Sequence, residues 1–177
     1  VPHDRASGRS RLRQPCPKLR RPEDDPPCLP ASNSSPKPAD VAAPIILGPG
    51  LQGERRVVPI LGGRIAGPRL EGEVLPGGTD HQLIRPDGVT EIVARYTLRL
   101  TDGALVHVVN SGLRHAAPED MARLLRGEPV PPERVYFRTT PVFETAAPDH
   151  AWLQHRQVFL GYGERQPSAV IIRIHAA

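Results

Sequence analysis

The sequence predicts an all-β fold over residues 45–177, one small antiparallel barrel or sandwich, on three observations. Beyond Gly53 the chain consists of short runs rich in Val, Ile, Leu and Thr, separated by Gly-Pro, Gly-Gly and Asp-Gly turns. Within the runs apolar and polar side chains alternate with the period of two expected of half-buried strands. A helical pattern is well marked in a single short segment.

Residues 1–44 are dominated by Pro, Ser, Arg and Asp, as in Arg20-Arg21-Pro22-Glu23-Asp24-Asp25-Pro26-Pro27. Such a segment has too little apolar side chain to offset the entropy of ordering it, so a disordered tail is expected. Ala43-Pro44-Ile45-Ile46-Leu47-Gly48 would add a few residues of edge strand, because Pro44 and Pro49 cannot donate to a ladder. Further strands are predicted near 55–60, 63–75, 80–85, 90–100, 104–110, 135–143, 152–160 and 168–175. The clearest hairpin joins Tyr96–Leu100 to Ala104–Val109 through Thr101-Asp102-Gly103, with Gly103 supplying the positive φ of a tight turn. Pro86-Asp87-Gly88 serves the preceding pair in the same way. The helix is predicted over 118–126: Pro118 suits its first turn, and Glu119 and Asp120 complement its positive end. Met121, Leu124 and Leu125 form its apolar stripe, Arg123 and Arg126 fall in its last turn, and Gly127 stops it. It would plug a barrel end or cover an edge.

Alternation sorts side chains by face. Ile92, Ala94, Tyr96, Leu98 and Leu100 share one face, against Glu91, Val93, Arg95, Thr97 and Arg99. Tyr136, Arg138 and Thr140 oppose Val135, Phe137 and Thr139, and Trp152, Gln154, Arg156 and Val158 oppose Leu153, His155, Gln157 and Phe159. Either choice of inward face mixes polar with apolar side chains, which suits a small-molecule pocket better than a dry core.

Composition excludes several chemistries. Cys16 and Cys28 lie in the tail, as do Lys18 and Lys37, so the domain has neither a thiol nor a Schiff-base amine. Residues 1–40 hold 8 of the 23 Lys and Arg and 5 of the 19 Asp and Glu, leaving the domain almost neutral. Its arginines are scattered among acids, so no nucleic-acid partner is expected. There is no run of about eighteen apolar residues and no signal-peptide pattern, so a soluble, cytoplasmic protein without a membrane partner is expected. His81, His107, His115, His150, His155 and His175 form no His-x-His or His-Glu-x-x-His, and no metal is expected. Ser111 and Ser168 sit in no Gly-x-Ser-x-Gly elbow. Gly62-Gly63 and Gly77-Gly78 precede no helix and read as turns or bulges rather than a phosphate loop.

Acid–base or binding chemistry remains. Its candidates are Asp80, Arg95, Tyr96, Asn110, Arg138, Glu144 and Trp152. Glu144 follows Val142-Phe143, and a partly apolar setting would raise its pKa toward the range useful for proton transfer. Each charged candidate could equally tie strands together as an Arg–Glu pair, and Trp152 could be core rather than a stacking platform.

A string of ordered blocks carries a resemblance: Gly62-Gly63-Arg64-Ile65-Ala66-Gly67-Pro68, Gly72-Glu73-Val74-Leu75-Pro76-Gly77-Gly78-Thr79-Asp80, Ala94-Arg95-Tyr96-Thr97-Leu98, Asp102-Gly103-Ala104-Leu105, Tyr136-Phe137-Arg138-Thr139, Phe143-Glu144-Thr145 and Ala151-Trp152-Leu153. Over residues 54–175 the chain resembles the family called domain of unknown function 3237, also uncharacterised protein family 0311. The resemblance implies a small β-barrel of calycin or allene-oxide-cyclase type, a form that encloses small apolar ligands and is often homodimeric. It brings no settled activity. His81 stands where the family pattern has Trp, and Gln154 where it has Asn, so specificity would shift if those positions touch a ligand. The family's first strand survives only as an echo at Ile45-Ile46-Leu47-Gly48-Pro49, so loss of one barrel strand and an open edge are expected.

Together these readings describe a barrel that binds a small, partly apolar organic molecule and needs no cofactor. Isomerisation, cyclisation or hydration are the reactions it would suit. Glu144 or Asp80 would transfer the proton, Arg95 and Arg138 would hold an oxygen, Tyr96 and Trp152 would flank the ligand, and Asn110 would bind it. The alternatives are a non-catalytic carrier with the same pocket and an oligomerisation module with a filled interior.

Overall fold

The computed structural model describes residues 39–155, 158–166 and 168–177. Most of the tail lies outside that range, as do Arg156 and Gln157 of the strand expected at 152–160. The strands are β1 (Ala39–Val41), β2 (Ile45–Gly50), β3 (Gly53–Ile65), β4 (Gly72–Val74), β5 (Gly78–Ile84), β6 (Thr90–Leu100), β7 (Leu105–Ala116), β8 (Val135–Glu144), β9 (Phe159–Gln166) and β10 (Ala169–Ala176). A helix, α1 (Pro118–Leu125), follows β7.

All pairings are antiparallel, and they close. One flank of β3 is taken by β2 (Ile45 opposite Val57) and then β1 (Val41 opposite Ile60). Its other flank is shared by β5 (Asp80 opposite Val58) and β4 (Val74 opposite Gly63). From β6 to β10 each strand pairs with the next, and β10 returns to β1 through Val170 opposite Ala39. The result is a closed eight-stranded antiparallel barrel.

Closure corrects the expectation of a lost strand. β1 lies inside the stretch 1–44 read as tail, and it is this three-residue strand that bridges β10 and β3. Gly63 makes the approach feasible, because a Cβ there would stand 2.8 Å from Ala39 Cα. The strand expected at 63–75 is also divided: Gly67-Pro68 breaks it, and Leu70 drops into the core before β4 begins. Likewise β7 runs past its expected end at residue 110 to Ala116, with Ser111-Gly112 inside the ladder.

The largest departure is at 152–160. Pro148–Leu153 form a 3-10 turn, and the strand starts only at Phe159. Adjacent apolar residues such as Trp152-Leu153 satisfy a helical turn as well as a strand, and Pro148 at the turn's start favours the former. Leu153, 2% exposed, packs into a cluster with Leu70, Leu98, Leu100, Val106, Val108, Phe143, Phe159 and Ile174 that fills this end of the barrel. Phe143 and Phe159 meet edge to face at 5.0 Å.

Toward the opposite end, α1 packs against β7 through Met121 and Leu124, which contact Val130; Leu125 of the expected stripe is exposed. The helix ends as expected. The Gly127 amide donates to Leu124 O and the Glu128 amide to Arg123 O, a Schellman arrangement for which Gly127 has φ 76°. No helix among the described residues is long and apolar enough to cross a membrane.

Candidate functional site

Between the packed end and α1 the interior opens into a chamber of about 610 Å³, within the usual range for small-molecule sites. It is not the filled interior that a purely structural module requires. Its apolar wall includes Val58, Ile60, Ile92, Ala94, Phe137 and Phe143. Its polar wall gathers Arg56 from β3, Asp80 and Gln82 from β5, Tyr96 from β6, Asn110 and Arg114 from β7, Thr139 from β8 and Arg165 from β9.

Strand register explains the convergence. Asp80 and Asn110 both pair with Ala94, and Gln82 and Gly112 with Ile92, so the inward side chains of β5 and β7 sit on either side of those of β6. Gly112, on the inward face of β7, and Gly161 of β9 flank Thr139 and leave the room that side chains would occupy.

A hydrogen-bonded chain runs along one wall. Arg56 Nε donates to Gln82 Oε1 at 2.8 Å, and Gln82 Nε2 donates to Asp80 Oδ2 in a short contact. Four other atoms of the polar wall, Asp80 Oδ1, Asn110 Oδ1, Thr139 Oγ1 and Arg114 Nε, are buried without a hydrogen-bond partner among the described residues. Asn110, Thr139 and Arg114 are only 1%, 2% and 4% exposed. A buried polar atom left unpaired costs about 1–3 kcal/mol, so several around one cavity are evidence of a ligand or solvent that completes them.

Burial sets the electrostatics. It pushes the Asp80 carboxyl above its ordinary range, while the Gln82 hydrogen bond and the charges of Arg114, Arg56 and His81 pull the other way. It lowers the Arg114 guanidinium to about 10, helped by the positive charges of Arg56 and Arg165 and opposed by Asp80. Arg56 and Arg165 are lowered by burial as well. The Tyr96 phenol is pushed up to about 12 by burial, with Asn110 opposing and Asp80 reinforcing, so it stays neutral. The chamber therefore holds a carboxyl group that burial makes easier to protonate, among buried donors.

Of the sequence candidates, Asp80, Tyr96 and Asn110 meet in this chamber and four others do not. Arg95 is exposed on the outer wall, because Ala94 and Tyr96 take the inward positions of β6. Arg138 also faces out, over the rings of Tyr162 at 4.3 Å and Tyr136 at 5.4 Å, since Phe137 and Thr139 point in. Glu144 is exposed beside a shallow surface groove with Thr97, His107 and Gln154, not in the apolar setting its neighbours suggested. Trp152 packs on the core, and the Arg69 guanidinium covers its ring at 3.5 Å, occupying the face a ligand would need. His81 is exposed, and Gln154 clasps the Thr145 backbone through both its amide atoms, so neither departure from the family pattern reaches the chamber.

Arg56, Gln82, Arg114, Thr139 and Arg165 were missed. For Arg56 and Arg114 the signal was present: Arg56 shares a face with Val58 and Ile60, and Arg114 continues Val106, Val108 and Asn110 at period two. Among the described residues no three His, Cys, Asp or Glu side chains come together in a way that could hold a metal ion.

Fold and chamber together define a closed β-barrel with a lined internal cavity. The chain belongs to the family described as protein of unknown function (DUF3237), whose model matches residues 38–177. It is 45% identical over 123 residues to UPF0311 protein RPA1785 of Rhodopseudomonas palustris, covering 70% of this chain and 80% of that one. With UPF0311 protein CA_C3321 of Clostridium acetobutylicum it shares 39% over 136 residues, covering 76% and 85%. The crystal structure of the Rhodopseudomonas protein superposes with a TM-score of 0.77 at 41% identity, over 79% of this chain and 91% of that one. A β-barrel-like protein from Acinetobacter baumannii gives 0.68 at 35%, over 79% and 90%. An enzyme from Penicillium herquei shares the fold, at a TM-score of 0.58 and 18% identity over 83% and 99%.

Proposed function

We propose that the barrel binds a small, partly apolar organic molecule in its chamber, and that Asp80 moves a proton on that molecule in a cofactor-free isomerisation, cyclisation or hydration. The observation that carries this reading is Asp80 itself, a half-buried residue whose carboxyl desolvation raises above its ordinary range, with a buried, unpartnered Oδ1 and Oδ2 held by Gln82. A carboxyl so placed accepts a proton from the ligand at Oδ1 and returns it to another ligand atom. Arg114 Nε and Thr139 Oγ1, both unpartnered donors on the chamber wall, are suited to an oxygen that gains negative charge during the transfer. Tyr96, neutral at physiological pH, and Asn110 would orient the ligand.

Asp80→Asn keeps the shape and removes the proton acceptor. The expected outcome is retained ligand affinity with turnover reduced by about 10²-fold or more. Equal turnover in both proteins would refute the role of Asp80. Ligand binding without turnover in the wild type would make the barrel a carrier.

A further inference from the structure

We infer that the molecule held in the chamber is an organic anion, its carboxylate or similar oxyanion head received by Arg114 and Arg56 and its apolar body lying against Val58, Ile92 and Phe137. This rests on the reading of the chamber as a ligand site and specifies the ligand's charge.

The wall's charges do not cancel from within. Arg64, Arg126 and Arg173, at its margins, each pair with an acid: Glu71 at 2.9 Å, Glu128 (which Arg123 shares) at 2.7 Å and Glu164 at 3.6 Å. Arg56 and Arg114, 8% and 4% exposed, have no ion pair among the described residues. The acids that act on them are Asp80, which they share, and Glu54, which acts on Arg56 from an exposed position. Asp80 cannot balance both Arg56 and Arg114, and burial pushes it toward its neutral form.

Buried cations require a counter-charge, and a neutral ligand would leave them without one. The guanidinium is a planar fork that matches a carboxylate, and Arg114 Nε is unpartnered. Its Cζ lies 5.7 Å from the Phe137 ring centre, so the charged and apolar parts of the wall adjoin. A cavity of about 610 Å³ with so much apolar wall far exceeds what an inorganic oxyanion fills.

The test uses the full chain and two pairs of probes matched in shape: 2-naphthoate against 2-naphthamide, and decanoate against decanamide. Affinity is measured near pH 7 by calorimetric titration and by the shift in melting temperature, with inorganic phosphate as a further probe. The expected result is an acid at least about ten-fold tighter than its amide, with the ratio falling toward one in Arg114→Met. Should that variant fail to fold, Arg56→Met supplies the comparison. Amides that bind as tightly as the acids would overturn the anion inference while leaving the ligand site intact. Phosphate binding as tightly as the acids would overturn the apolar body. Silence from every probe would overturn both the inference and the reading of the chamber beneath it.

Discussion

Thr139 stands between two glycines whose substitution should have unequal effects for a reason visible in the wall. A Cβ on Gly161 would overlap Thr139 Oγ1 and come within 3.0 Å of Ile172 Cγ2, so its severe contact is with a side chain. A Cβ on Gly112 would overlap the backbone oxygen of Arg138 and lie 2.6 Å from Thr139 Cγ2 and 2.8 Å from Thr139 Cα. The first clash is relieved by removing a hydroxyl; the second requires the β7 and β8 backbones to separate. Overpacking of this kind costs about 1–3 kcal/mol, so Gly161→Ala should sit near the lower end and Gly112→Ala at or beyond the upper. At roughly 2–4 °C per kcal/mol the melting temperatures separate clearly. Thr139→Ala should rescue most of the Gly161→Ala deficit, a coupling of about 1 kcal/mol, and leave most of the Gly112→Ala deficit in place. Denaturant unfolding of the three single variants and the two doubles measures this. Equal losses from the two glycines, or no coupling with Thr139, would refute the register of β7, β8 and β9 around the chamber.

Other consequences follow from the same geometry. The unfolded Asp80 carboxyl ionises near pH 3.9, roughly, and the buried one at higher pH, so the native state carries the extra proton across that interval. Its contribution is therefore full below the unfolded pKa and is lost as pH rises through the folded one. The stability of wild type minus that of Asp80→Asn, followed by denaturation against pH, should fall across this window and then level; a difference that rises would refute the burial argument. Phe143→Ala, which removes a ring 3% exposed and edge to face with Phe159, should cost about 3–5 kcal/mol in unfolding free energy, whereas a loss under about 1 kcal/mol would mean that end of the barrel is not packed as described. Glu144→Gln, on the outer wall, should change ligand affinity and turnover less than two-fold, roughly, in the assays that read Asp80→Asn, and a large loss would move the chemistry outside the barrel.

What the sequence made legible was local. β6 spans the expected residues 90–100, because alternation is unbroken from Thr90 to Leu100 and Asp102-Gly103 ends it. α1 starts at Pro118 and stops before Gly127 for the capping reasons read in advance. Contacts between distant segments were not legible: nothing in Ala39-Asp40-Val41 announces a strand, and it becomes one because β10 and β3 present unpaired edges to it. The site divides in the same way. Tyr96 shares its face of β6 with Ile92, Ala94, Leu98 and Leu100 and turns inward with them, whereas Arg138 and Glu144 lie on the outward face of β8, where both faces mix polar and apolar residues. Arg114 was lost because the strand expected at 104–110 continues to Ala116, with Gly112 as the gap that accommodates Thr139.

The central claim is that the chamber is a binding site. Its most direct test is a melting-temperature screen of the full chain against small aromatic, fatty and hydroxy-acid compounds, run beside Ala94→Phe, which places a ring in the chamber from a residue on its wall. Any ligand that binds only the native state raises its stability. The account predicts at least one compound that stabilises the wild type and loses that effect in a folded Ala94→Phe protein. Stabilisation that survives the filled chamber, or its absence across all three compound classes in the wild type, would contradict it.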